Sequence, residues 1–117
     1  MPIMDRARGR VSLERVDLGQ TNFFDANTET LAGHKTLVIT DRVLQFLDPD
    51  GAKNVILPAE AVSAGRIFII CNMASGAEDI TLQDDSPATV CAISQNEMAI
   101  AVCDGTTWKG GILPQAG

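Results

Sequence analysis

Nucleophilic catalysis is the chemistry for which this sequence is least equipped. A Ser or Cys nucleophile needs an adjacent base, and His34 is the one histidine in the chain. It follows Gly33 in a region without a regular hydrophobic period, where a reacting geometry would be poorly held. The chain also has no G-x-S-x-G, Walker or G-x-G-x-x-G motif. We therefore predict no catalytic residues, no cofactor and no enzyme activity.

Two acidic stretches, LDPDGAKN and QDDSP, could offer oxygen ligands to a cation. In the first, Gly51 comes too early for a calcium loop and Ala59 stands where such a loop has its bidentate Glu. In the second, adjacent residues of a strand or turn point to opposite sides, which disfavours a converging pair of carboxylates. We interpret both stretches as turns and predict no metal site. The acidic and amide residues concerned are Asp48, Asp50, Asn54, Asp84 and Asp85.

The three cysteines, Cys71, Cys91 and Cys103, are widely spaced and form no C-x-x-C pair. A structural zinc site needs four ligands, usually in close pairs. Each cysteine lies in an apolar run, where a free thiol behaves as a small hydrophobic side chain. We interpret them as buried, reduced thiols in preference to redox or metal-binding groups, which suits a protein made in a reducing cytoplasm.

Length and charge describe one small acidic domain with a basic start. The chain has 117 residues and a net charge of -6. Clustered Lys and Arg are needed to neutralise phosphates, so the acidic body predicts no nucleic-acid surface. No apolar stretch approaches the roughly 20 residues of a membrane span, and no apolar segment typical of a signal peptide follows the basic start. That start could bind an acidic protein surface or nucleic acid, or form a solvated leader. Its basic residues are Arg6, Arg8, Arg10 and Arg15.

Residues 1–35 differ in pattern from the rest of the chain. They show no sustained period of 2 or 3.6, although VSLERVDL alternates and favours a short strand over residues 11–18. Apolar residues are otherwise scattered, with Val11, Leu13, Phe23 and Phe24 as the candidate anchors. We interpret residues 1–35 as an extended N-terminal arm that lies along another surface. The alternative is a leader without a partner.

From residue 36 to residue 117 short β-type runs alternate with turn-forming residues. Strands at intervals of roughly 8 to 12 residues are typical of an all-β sandwich or barrel. We predict about eight short strands and, at PAEAVSAG, no more than a single helical turn. A core of this size is often marginal alone, so we expect an oligomer. The predicted strands span residues 36–40, 42–47, 54–58, 66–73, 79–83, 89–93, 98–103 and 107–113.

The order of short motifs in this domain resembles a known family. VILPAEA is followed by Gly65, then IFIICN, DITLQDD and AIAVCDGTTW. Together they resemble β-rich modules of tailed-bacteriophage virions, which occur in small head-decoration (cement) proteins and in repeated units of tail fibres and tailspikes. The resemblance covers about two-thirds of the chain and leaves the arm outside it.

The resemblance implies a homotrimeric virion protein that binds capsid or tail proteins and catalyses nothing. We expect a capsid decoration protein, with the major capsid protein as its partner; the alternative is a tail-fibre or baseplate component that could bind a receptor. A soluble carbohydrate-binding module is a third possibility. We interpret the DGTTW stretch as structural. Gly105 is expected to form a tight turn. Trp108 is expected to cover the core or a neighbouring subunit in preference to binding a ligand.

Overall fold

The structure, a computed structural model, describes residues 25–113, which form nine β-strands and a single turn of 3₁₀ helix at Glu60–Val62. No helix in this part of the chain is long and apolar enough to cross a membrane. The strands are β1 (Ala26–Leu31), β2 (Lys35–Thr36), β3 (Leu44–Pro49), β4 (Lys53–Ile56), β5 (Ile67–Asn72), β6 (Ile80–Gln83), β7 (Thr89–Ile93), β8 (Met98–Cys103) and β9 (Trp108–Leu113).

The strands form two sheets, and the chain winds between them. Sheet one has the order β9-β8-β5-β3-β1 and sheet two the order β2-β4-β6-β7. From β1 to β6 successive strands alternate between the sheets, and each of the first four pairs in parallel with the strand two places later. This connectivity is a short parallel coil of three turns. The last three strands pair antiparallel with their neighbours, which ends the winding.

The two sheets face each other across one hydrophobic core. Side chains alternate along each strand, so Phe68 and Ile70 of β5 point inward between half-buried or exposed neighbours. Trp108 at the start of β9 joins the same core. The fully buried members include Leu47, Phe68 and Ile70 from sheet one and Val55, Ile80, Leu82 and Ile93 from sheet two.

The prediction of an all-β fold is confirmed, as is the limit of one helical turn at PAEAVSAG. The strand predicted over residues 36–40 is wrong, because the β ladder ends at Thr36 and the chain turns at Ile39 and Thr40. The predicted sandwich has two packed layers, as the structure does. The parallel winding of β1 to β6 was not predicted.

Part of the expected arm belongs to the sheets. Ala26–Leu31 is β1, paired with β3, and Lys35–Thr36 is β2, paired with β4. The polar sequence of β1 still alternates in burial and ends on buried Leu31, which anchors it to the core. The strand predicted over residues 11–18 lies outside the described residues.

Candidate assembly surfaces

Trp108 is a packing residue. Its side chain is only 5% exposed, and its ring lies 6.1 Å from that of Phe68 at a tilt of 39°. The indole Nε1 donates a 2.8 Å hydrogen bond to the backbone oxygen of Pro58. A buried Trp whose N–H is satisfied stabilises the core, and it leaves no free face for a ligand to stack on.

The turn before Trp108 depends on Asp104 and Gly105. The Asp104 Oδ1 atom accepts hydrogen bonds from the backbone N–H groups of Thr106 and Thr107, at 2.9 and 2.8 Å. These bonds favour the ionised form and lower the pKa of Asp104. Gly105 has a φ of 97°, and a Cβ there would lie 3.2 Å from the Cβ of Ala64. The turn therefore favours glycine for its conformation, and a side chain there would also crowd Ala64.

The histidine and the calcium-loop candidate have structural contacts. The Nδ1 atom of His34 accepts a 2.9 Å hydrogen bond from the backbone N–H of Asn54. In the LDPDG stretch, Asp50 forms a 2.8 Å ion pair with Lys53. His34 thus connects the turn that precedes β2 with strand β4. The ion pair between Asp50 and Lys53 stabilises the turn between β3 and β4.

Asn72, at the end of β5, is a buried polar residue whose role the sequence analysis missed. Its Nδ2 atom donates to the backbone oxygens of Glu78 and Ile93, at 2.9 and 2.8 Å. Its Oδ1 atom accepts from the N–H of Ala74 at 2.9 Å. One side chain therefore satisfies three backbone groups and ties the corner after β5 to the end of β7. An asparagine that ends an apolar strand is the sequence signal for it.

A second polar network lies at the start of the coil. Asn27 donates to the Oε1 atom of buried Gln45 at 2.8 Å and to Glu29 at 2.7 Å. Lys35 donates to the same Glu29 carboxylate at 2.8 Å. The hydrogen bond from Lys35, and then that from Asn27, lower the pKa of Glu29. Within residues 25–113, these contacts give the end of the coil at β1 and β2 a polar interior.

The three cysteines are free and differ in burial. Cys103 is buried, whereas Cys71 and Cys91 are half-buried. Desolvation raises the pKa of the Cys71 and Cys91 thiols, which lowers their reactivity as nucleophiles at neutral pH. Full burial was the expectation for all three, and only Cys103 meets it.

Three carboxylates converge at one corner of the molecule. One oxygen from each of Glu60, Asp84 and Asp85 lies within 4.8 Å of the others. The expectation that neighbouring residues of this strand or turn direct their carboxylates to opposite sides is wrong: the strand β6 ends at Gln83, so its strict alternation does not extend to Asp84 and Asp85. We call this set the acidic trio. It is the group of described residues that could offer oxygen ligands to a cation.

Hydrogen bonding keeps one member of the acidic trio charged. The Asp84 Oδ1 atom accepts from the Ser86 hydroxyl at 2.6 Å and from the backbone N–H groups of Ser86 and Ala88. The hydroxyl bond, followed by the two backbone bonds, lowers the pKa of Asp84. No ion pair joins the trio to a Lys or Arg within residues 25–113.

An apolar groove of ≈ 380 Å³ lies beside the acidic trio. Its most exposed apolar side chains are Val38, Ile39 and Val62, at 51%, 40% and 60% of their surface. We call it the corner groove, since it is formed where the chain leaves β2, β4 and β6. The groove is lined by Thr36, Leu37, Val38, Ile39, Ile56, Leu57, Pro58, Ala59, Val62 and Asp85.

The outer surface of sheet one is also apolar. Ile69 of β5 lies opposite Ile100 of β8 on one side and Leu44 of β3 on the other. In the flanking rows Ile67 opposes Val102. Every one of these side chains is at least partly accessible in the described chain. We call this surface the apolar face; it consists of Leu44, Phe46, Ile67, Ile69, Cys71, Met98, Ile100 and Val102.

The residues expected to bind a partner through the arm lie outside the described residues. They are Arg6, Arg8, Arg10, Val11, Leu13, Arg15, Phe23 and Phe24. The chain matches no protein-family model, no curated protein and no solved structure.

Proposed function

We propose that the protein is a capsid decoration protein of a tailed bacteriophage. It binds the outer surface of the head through the major capsid protein, stabilises the shell and catalyses no reaction. In this proposal it is made in the bacterial cytoplasm and acts on the virion as a homotrimer. The resemblance of VILPAEA, IFIICN and AIAVCDGTTW to virion modules supports it, together with the all-β fold.

The apolar face carries the proposal. Strands β5 and β8 are apolar on both sides, with Phe68 and Ala101 pointing inward and Ile69 and Ile100 outward. Continuous apolar strands are typical of sheets that are covered on both surfaces. Covering this face would stabilise a complex by roughly 25 cal/mol for each Å² of apolar surface removed from water. A protein that assembles with others accounts for such a face better than a soluble catalyst does.

The basic arm supplies the second contact in this proposal. Its first arginines, Arg6 and Arg8, would pair with acidic groups of the capsid, which predicts weaker attachment at high salt. Its phenylalanines would be buried in the shell, since a fully buried Phe contributes about 1.5–3 kcal/mol. Phe23 and Phe24 stand closest in sequence to β1 and would lie nearest the β body.

A tail-fibre or baseplate component, with receptor binding as one of its roles, is the second candidate. The parallel winding of β1 to β6 favours it. β1 and β2 are the end strands of their sheets among the described residues, at the same end of the coil. Parallel coils can be extended by stacking further turns on such an end, which suits long fibres.

Attachment to isolated particles tests the proposal. The purified protein is mixed separately with phage head shells that lack decoration protein and with isolated tails, and bound protein is measured by co-sedimentation. We expect saturable binding to heads, located on the outer surface by cryo-electron microscopy. Ile100→Glu places a charge in the apolar face and should weaken binding at least tenfold, or about 1.4 kcal/mol.

The matched control is Ala92→Glu, which adds the same charge at an exposed position of β7 in sheet two. Both variants must keep the β-sheet circular dichroism of the parent. Binding to tails alone would favour the second candidate, and binding to neither particle would contradict both.

A further inference from the structure

The corner groove and the acidic trio form one continuous surface. Asp85 belongs to both, and Ala59 of the groove directly precedes Glu60 of the trio. The surface is therefore apolar along its length and anionic at one edge. The apolar part is exposed, with Val38 and Val62 more than half accessible.

The charges of the described residues leave this anionic edge without a cationic partner. Lys35 is paired with Glu29 and Lys53 with Asp50, so neither balances the trio. Within residues 25–113 an apolar groove thus lies beside carboxylates that pair with no Lys or Arg, and this combination fits a ligand that joins aliphatic side chains to Lys or Arg. Charge complementarity of this kind selects a partner and its orientation more than it adds affinity.

One segment of this chain has that chemistry. RVSLERV, residues 10–16, has aliphatic Val11 and Leu13 at alternate positions, and it carries two arginines, Arg10 and Arg15, against the single carboxylate of Glu14. We propose that the corner groove binds residues 10–16 of a second copy of the chain, with Val11 and Leu13 in the groove and Arg15, which lies on the same side of an extended chain, at the acidic trio.

A second copy is favoured over the same chain because a body this small gains burial by association. When each copy fills the groove of the next, the contacts are head-to-tail and can close into a ring. The binding of copies to one another does not depend on the virion role proposed above.

Exchange of charges between two full-length variants tests the proposal. One variant carries Glu60→Lys and Asp85→Lys, and the other carries Arg10→Glu and Arg15→Glu. Asp84 is left unchanged because its carboxylate holds the turn. Oligomer size is measured by sedimentation velocity in buffer with EDTA. Each variant alone should dissociate at concentrations at least tenfold higher than the parent, because like charges then meet at the groove.

An equimolar mixture of the two variants should restore the parent's oligomer, since each groove then meets an oppositely charged segment on the other chain. A photo-reactive benzoylphenylalanine at position 13 should cross-link one copy to the region of Val38 and Val62 on another. The control is Asp79→Lys, which reverses an exposed carboxylate outside the groove and should leave the oligomer unchanged.

Three outcomes would overturn the proposal. Oligomers that are insensitive to the charge reversals would show that the segment does not bind there. A single chain with all four substitutions that recovers while the mixture does not would assign the segment to its own chain. A parent oligomer lost in EDTA and regained with Mg²⁺ or Ca²⁺, without any effect of the arginines, would assign the trio to a cation. Head binding is measured separately, so its failure would leave this test intact.

Discussion

Several conspicuous side chains of this protein hold the fold together. The Trp108 indole closes the core against Phe68, and the Asp104 carboxylate organises a turn. His34, the one histidine of the sequence, accepts a hydrogen bond from the backbone N–H of Asn54. These residue types are common in active sites, but here their contacts are with the chain's own backbone and core.

Removing the Trp108 side chain should destabilise the protein strongly. Trp108→Ala is expected to lower the free energy of unfolding by about 3–5 kcal/mol, since it leaves a cavity beside Phe68. Trp108→Phe keeps an aromatic ring and mainly removes the hydrogen bond to Pro58, so a smaller loss of about 1–3 kcal/mol is expected. Urea unfolding followed by circular dichroism measures both. A loss below about 1 kcal/mol for the Ala variant would mean that the ring is exposed in solution.

The Glu29–Lys35 pair should make stability depend on pH. Because the folded pKa of Glu29 lies below its ordinary value of 4.5, its contribution is present above that value and disappears as pH falls through the folded pKa. Glu29→Gln should therefore be less stable than the parent at pH 7, by less than about 1 kcal/mol for so accessible a pair. The difference should shrink in urea titrations as the pH is lowered below 4.5, the ordinary pKa of a glutamate. Lys35→Met should reproduce this trend, and a difference independent of pH would contradict it.

At the scale of strands, the sequence located elements much better than partners. β5 and β8 were predicted because short, continuous apolar runs such as IFIICN and MAIAVC, bounded by turn residues, are typical of buried strands. β1 was missed because its inward positions carry Asn27 and Glu29, which hide the hydrophobic alternation. The alternation of apolar and polar residues indicates which side of a strand is buried but not which strand pairs with it. The parallel winding could therefore not be predicted from alternation.

The candidate surfaces also differ in how far the sequence predicts them. The apolar face follows from two continuous apolar strands, and its existence could have been predicted from them. The acidic trio could not, since Glu60 and Asp84 are far apart in sequence and meet only because the coil stacks one corner on another.

Asn72 should be essential for this stacking of corners. Asn72→Leu keeps the volume similar but leaves the N–H of Ala74 and the oxygen of Ile93 without their partner. Each buried group left unsatisfied costs about 1–3 kcal/mol, so the free energy of unfolding should fall by at least about 2 kcal/mol. Asn96→Gly is the control, because Asn96 has a φ of 66° that glycine adopts freely. Equal stabilities for the Leu variant and the parent would show that water replaces the amide.

At the scale of the molecule, the two ends of the coil differ. At one end antiparallel β7 and β9 terminate the winding; a Cβ added at Gly110 of β9 would meet the Val90 side chain at 2.9 Å. At the other end lie β1, β2 and the polar network around Gln45. The groove and the apolar face are separate surfaces of the same body, so association between copies and attachment to a larger partner can occur together.

Two truncations should separate the body from the residues before it. A chain that starts at Asp25 keeps all nine strands and should retain β-sheet circular dichroism and cooperative unfolding, while losing attachment to heads if the arm supplies it.

A chain that starts at Thr36 loses β1 and with it buried Leu31. Loss of such a side chain alone costs about 2–5 kcal/mol, and β3 would lose its ladder partner as well. This shorter chain should unfold at much lower urea concentration or fail to fold. If both truncations were equally stable, β1 would not belong to the folded body, and the boundary of the domain would return to residue 36.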